Sequence, residues 1–222
     1  MRIVSWNRKR GISTREKEKA VLALQPDILI LQEYIVSRLF PVDEKMKLVA
    51  TVEFPERIDK NKPDALKGRN GMAVFCCNPQ ITVKPLKEYG CDGDRFYIPM
   101  EISCEKLSFN LLAVWNCDKL AGWNCEKSDL RYRKLFSQGN CVVIGDFNWP
   151  GNKAKGVEGQ ENDDPNVLKF DRKGAPTTVR WLFDLFRQFG LSSAYHIHNK
   201  IELGDDRTEA THYLKGKYPL HI

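Results

Sequence analysis

Long apolar runs are missing from this chain. No stretch of its 222 residues approaches the ~20 apolar residues that a membrane-spanning helix requires, so no membrane partner is expected. A charged-then-apolar leader is missing too: the chain opens directly on the strand-like Ile3-Val4-Ser5-Trp6, which favours a soluble, cytoplasmic protein. Paired cysteine motifs are also missing. The seven cysteines (Cys76, Cys77, Cys91, Cys104, Cys117, Cys125 and Cys141) are odd in number and form no C-x-x-C, so neither a zinc site nor a disulfide framework is indicated. Cys76 and Cys141 fall inside apolar runs and read as small core residues in a reducing compartment. No internal repeat and no linker divides the chain, and its length suits one fairly large domain over residues 1–222. Charge is only mildly one-sided: 35 basic against 29 acidic residues leave +6, too little to define a partner. An apolar share of 42% with 10% aromatics argues against wholesale disorder. Nothing in the sequence sets an oligomeric state, and a monomer is the working expectation.

Among what is present, the run Val142-Val143-Ile144-Gly145-Asp146-Phe147-Asn148 is the most informative. An apolar run reads as a buried strand, broken at Gly145. It then delivers a carboxylate and a carboxamide two residues apart, which an extended chain places on one face. Two earlier segments end similarly: Ile3-Val4-Ser5-Trp6 leads into Asn7, and Ile28-Leu29-Ile30-Leu31-Gln32 into Glu33. A single strand-end Asn is usually a turn residue, and a lone Glu is usually solvated. Three strand ends carrying Asn, Glu and Asp-x-Asn shift the balance to a site.

The residue types suit a phosphate ester. A carboxylate cannot hold an anionic phosphate directly, and a divalent cation between them removes the conflict. Mg²⁺ takes one or two carboxylates, keeps several waters and binds phosphate oxygens. Glu33 is the expected carboxylate ligand. Asn7 and Asn148 offer N–H donors without adding negative charge, and Asp146 can orient a water or accept its proton. Arg8, Lys9 and Arg10 follow Asn7 directly. A solvated loop is the ordinary reading of such a run, but its position beside the proposed site suggests attraction of phosphate. Trp149 either stacks on a base or sugar or packs its own loop; the sequence supports both equally.

Along the rest of the chain, Ser13-Thr14-Arg15-Glu16 matches a capping box, and Pro26 marks the end of the helix that follows. Strands are expected over 27–33, 46–53, 71–77, 80–86, 96–103 and 107–115, the last ending in Asn116. Residues 126–137 read as a helix with Lys127, Arg131, Arg133 and Lys134 on a solvated face. Residues 149–175 form a long polar loop, whose Asp163 and Asp164 look solvated rather than metal-bound. Val179, Leu182, Phe183 and Phe186 then fall at helical spacing, with Gly190 closing the helix. Short strands are expected over 191–196 and 209–214. His196 would end the first of them and face the site, with a plain surface role as the alternative.

With these motifs placed, the chain resembles the endonuclease/exonuclease/phosphatase superfamily, the DNase I-like and exonuclease III-like proteins. The resemblance rests on Val4-Ser5-Trp6-Asn7, Leu31-Gln32-Glu33, the strand from Gly71 to Phe75, Gly145-Asp146-Phe147-Asn148, and the segment from Thr211 to Ile222. It implies an α/β fold: a four-layer α/β sandwich, with two mixed sheets face to face and helices outside. It also implies Mg²⁺ or Mn²⁺, with Glu33 as metal ligand and Asn7 beside it, Asp146 and Asn148 acting on nucleophile and phosphate, and Asn116 as a phosphate contact. Nucleic acid or another phosphoester is the implied partner. The family's late Asp lies just beyond a His-Ile and an Asp-His pair lies further on, whereas this sequence stops at Ile222, so C-terminal strands and a general-base His are expected to be missing. Two functional expectations follow. One is a divalent-metal-dependent phosphoesterase hydrolysing phosphodiester bonds, foremost a nuclease. The other is a weak or inactive phosphate- or nucleic-acid-binding member, since a general acid–base group contributes about 10²–10⁴-fold in rate.

Overall fold

Strongly apolar strands, several of them buried on both faces, assemble into two four-stranded sheets. The computed structural model describes residues 1–8, 15–35, 45–53, 70–89, 97–105, 107–115, 133–146, 186–200, 212–214 and 218–220. The chain forms two compact units: one of Met1–Trp115 with Gln138–Asp146, the other of Asn116–Ser137 with Phe147–Ile222.

In the first unit, β1 (Ile3–Asn7), β2 (Ile28–Ile35), β3 (Lys47–Glu53) and β4 (Asn70–Cys76) form a sheet ordered β1-β2-β4-β3. Its β1/β2 pair is parallel, and the other two pairs are antiparallel. The second sheet, ordered β5-β6-β7-β8, contains β5 (Thr82–Pro85), β6 (Tyr97–Cys104), β7 (Leu107–Trp115) and β8 (Cys141–Asp146). Here β7/β8 is the parallel pair, and β5/β6 and β6/β7 are antiparallel. Each sheet therefore carries one parallel edge strand, β1 or β8, and these two edges approach each other.

The sheets face each other through one apolar core. Ile28, Ile30, Met72 and Val74 meet Met100, Ile102, Leu111 and Ala113 there. Burying each of these side chains other than the small Ala113 contributes roughly 1.5–3 kcal/mol. The alternate residues of the first sheet, Leu29, Leu31, Ala73 and Phe75, form a second cluster on its outer face. The helix α1 (Arg15–Ala23) covers that cluster with Val21 and Leu22. Glu18 lies one helical turn before them, on the same face, and is buried. The helix ends at Ala23, Gln25 takes a left-handed φ of 50°, and Pro26, which disfavours helical backbone in the residue before it, keeps the helix from continuing.

In the second unit, residues 133–137 and 186–188 are helical. Phe136 packs edge-on against Phe186, with ring centroids 6.1 Å apart. The 186–188 turn closes as expected from Gly190. That glycine takes φ +72°, its N–H donates to Arg187 C=O, and the N–H of Leu191 donates to Phe186 C=O, the paired bonds of a Schellman stop. The expected strand over 191–196 is corrected: Ala194–Asn199 is a helix, α2. Ser193 precedes it and its C=O accepts the Ile197 N–H at 3.1 Å. Serine is a favoured N-cap residue type, and that signal outweighs a short alternating stretch. β9 (His212–Leu214) and β10 (Tyr218–Leu220) pair antiparallel. The long polar segment 149–175 and most of the helix expected after Pro176 lie outside the described residues. No described helix is long and apolar enough to cross a membrane.

Candidate active site

Both parallel strand pairs end at the same edge of the sandwich. Asn7 lies opposite Gln32 in the β1/β2 register, and Trp115 opposite Asp146 in β7/β8. Side-chain alternation then sets what each strand end presents. Val4 and Trp6 pack in the outer cluster while Ile3 packs in the inter-sheet core, so Asn7, four residues after Ile3, faces the opposing sheet. On β8, Ile144 packs in the inter-sheet core, and Asp146 shares its face.

Glu33 follows a different rule. Leu29 and Leu31 point outward, so strict alternation would send Glu33 outward as well. Instead the β2/β4 register shifts between Gln32 and Tyr34, and Glu33 takes φ +50°. This is a bulge, a device that re-aims a side chain, and its left-handed backbone costs a non-glycine residue about 1 kcal/mol or more. Gln32 stays inward, its Nε2 donating to Ser5 Oγ at 2.8 Å, and Tyr34 returns to the outer cluster. The carboxylate of Glu33 is thereby turned toward the opposing sheet.

The three side chains meet. Asn7 Nδ2 donates to Glu33 Oε1 at 3.1 Å and to Asp146 Oδ2 at 2.6 Å. All three are half-buried. One amide nitrogen thus bridges two carboxylates that would otherwise repel each other across a poorly solvated edge. Gly145 makes this approach possible. Its φ is +151°, and a Cβ there would lie 1.9 Å from the carbonyl oxygen of Val114, so no other residue fits without displacing the backbone of β7.

The other expected site residues are placed as follows. Arg8, expected to attract phosphate, lies in the interior. It is 3% exposed; its Nη2 donates to Glu18 Oε1 at 2.6 Å, and its guanidinium lies 5.7 Å from the centre of the Tyr34 ring. His196 lies in α2 of the second unit, not on a strand. Lys9, Arg10, Asn116, Asn148 and Trp149 lie outside the described residues. Tyr34 and Glu18 lie beside the site without having been singled out from the sequence, whereas Gln32 was named there as part of Leu31-Gln32-Glu33. The signal that could have found Glu18 is its spacing, one helical turn before Val21 and Leu22.

No family model matches the chain, and no curated protein matches it in sequence. Solved structures do match it. The endonuclease domain of TRAS1, a telomere-specific non-LTR retrotransposon, superposes with a TM-score of 0.52 at 13% identity, covering 86% of this chain and 72% of that one. The AP endonuclease LMAP from Leishmania major gives 0.47 at 10% identity, covering 84% and 65%. A humanized D. rerio TDP2 gives 0.37 at 15% identity, covering 66% and 61%. The chain thus spans under two thirds of the length of the last two. The chain thus shares its fold with the TRAS1 endonuclease domain, and in this chain that fold is two mixed sheets face to face, with their parallel pairs ending at one edge.

Proposed function

We propose that this protein is a divalent-metal-dependent phosphoesterase that hydrolyses phosphodiester bonds, with nucleic acid as the first substrate class to test. The observation that carries this reading is the convergence of Glu33 and Asp146, from opposing sheets, on the single amide nitrogen of Asn7. Two carboxylates with an amide between them suit a polyanionic ester only when a cation joins them.

The donor set fits such a cation. Carboxylate oxygens are hard ligands, matched to Mg²⁺ and Mn²⁺, and Mg²⁺ needs only one or two of them because it retains waters and takes phosphate oxygens. Glu33 and Asp146, the two carboxylates gathered at Asn7, are the groups that would hold the ion. When bound, it would polarise the phosphoryl oxygen and lower the pKa of a coordinated water.

The chain's own residues do the remaining work. Asp146, on the inner face of its strand, orients the attacking water or accepts its proton. Both Nδ2 hydrogens of Asn7 are spent on Glu33 and Asp146, so its donation to a non-bridging phosphate oxygen would replace one of those bonds as negative charge builds there. The half-buried edge holds both groups in place before substrate arrives. Nucleic acid comes first among substrates because the TRAS1 domain, which shares the fold, is an endonuclease domain.

The test is cleavage of single-stranded, duplex and abasic DNA, RNA and a generic phosphodiester with Mg²⁺ or Mn²⁺. Glu33→Gln and Asp146→Asn should each lower the rate by about 10²–10⁴-fold. Cleavage that survives both substitutions would remove the assignment.

A further inference from the structure

The Glu33 bulge needs something to hold it. A strained φ persists only where the surroundings over-determine it, and here the neighbours on both sides of Glu33 are fixed by one residue. The backbone N–H of Arg8 donates to the carbonyl oxygen of Gln32 at 3.0 Å. Its guanidinium lies over the ring of Tyr34, which itself packs edge-on against Phe75 at 6.0 Å. The far side of that guanidinium is anchored on Glu18 of α1. Arg8 also directly follows Asn7, so one residue borders both the amide bridge and the bulge.

We propose that Arg8 is a positioning residue: clamped between Glu18 and Tyr34, it sets the backbone turn that aims the Glu33 carboxylate at Asn7 and Asp146. Arginine suits this role. Its planar guanidinium can stack on an aromatic ring while donating along its edge, whereas lysine presents a compact point charge with no face to stack. The clamp also explains the burial of Glu18 in the first turns of an otherwise polar helix. Removing one partner alone would leave a buried charge uncompensated, so the informative variant removes both charges.

The clamp's relevance to catalysis rests on the phosphoesterase reading, but its effect on the bulge does not. The experiment therefore has two readouts on the full chain. The first is amide hydrogen exchange in Arg8→Met/Glu18→Leu. Exchange at residues 32–34 should quicken at least tenfold, while the amides of β6 and β7 keep their protection. Unchanged exchange at 32–34 would overturn the proposal, and so would an equal loss across both sheets, which would mark a general stability effect. Arg8→Lys should fall between the double variant and wild type. The second readout is Mn²⁺ binding, followed by electron paramagnetic resonance. It should weaken about tenfold in the double variant, in line with the loss of groups that orient a metal ligand. Unaltered Mn²⁺ affinity beside loosened 32–34 amides would overturn the aiming role. If Glu33→Gln leaves Mn²⁺ binding unchanged, the phosphoesterase reading falls, while the exchange data still decide whether Arg8 holds the bulge.

Discussion

The two parallel strand pairs, β1/β2 and β7/β8, do the same job by different means. Each ends at the site edge and presents a carboxylate to the other sheet. β8 does so by plain alternation: Ile144 faces the core, so Asp146 faces the same way. Its one special demand is Gly145, whose missing Cβ lets the backbone lie against the Val114 carbonyl. β2 breaks its own alternation. It inserts a bulge at Glu33 with φ +50°, and the flanking residues are held by Arg8. The contrast shows that a strand can aim a functional group by staying regular over a close backbone contact, or by accepting local strain that its neighbours hold in place.

Substitutions at the two ends should therefore fail in opposite ways. Gly145→Ala carries the largest expected cost to folding. It forces a Cβ against the Val114 backbone and combines steric overlap with an unfavourable φ, for a loss of about 3 kcal/mol or more in denaturant unfolding. Retained stability would mean that β7 and β8 can separate without penalty. At the other end, Glu33→Gly should raise stability by about 1 kcal/mol, because glycine adopts a positive φ without strain. The same variant should abolish cleavage. Loss of stability there would show that the bulge is not a strained position.

The starts of the two pairs sharpen the comparison. Asp27, just before β2, accepts the Asn78 amide at 2.7 Å and the Arg2 N–H at 2.6 Å. The Asn78 hydrogen bond foremost, against an opposing cost of burial, holds its carboxyl below the usual value. A depressed carboxyl stabilises the fold at pH values above its unfolded-state pKa of about 3.9. That contribution is lost as pH falls through the lower folded-state value. β8 begins instead at Cys141, whose thiol burial pushes up to about 12, so it remains neutral throughout this range. Exchange protection in β1/β2 should therefore decline before that in β7/β8 as the solution is acidified below about pH 4. A simultaneous decline would remove the distinction. This is the smallest of the three effects.

The same contrast explains what the sequence made legible. The strands of both sheets were readable because each alternates or runs apolar, and on Val142–Asp146 plain alternation places Asp146 on the face of Ile144. The inward aim of Glu33 was not readable. Alternation alone assigns it outward, and a bulge in Gln32-Glu33-Tyr34 carries no glycine to announce it. The burial of Arg8 was not readable for a related reason. A basic run after a strand looks solvated or phosphate-seeking, and only the tertiary placement of Glu18 and Tyr34 draws its first member into the interior. The strand expected near residue 191 failed because a few residues of alternation cannot be distinguished from the start of a capped helix.

The central claim is that Glu33 and Asp146 form one cation site bridged by Asn7. Titration of the chain with Mn²⁺, followed by electron paramagnetic resonance, tests it most directly. The account predicts a single specific site, lost in Glu33→Gln and lost equally in Asp146→Asn. A bound Mn²⁺ that survives both substitutions, or no specific site in the unaltered chain, would contradict it.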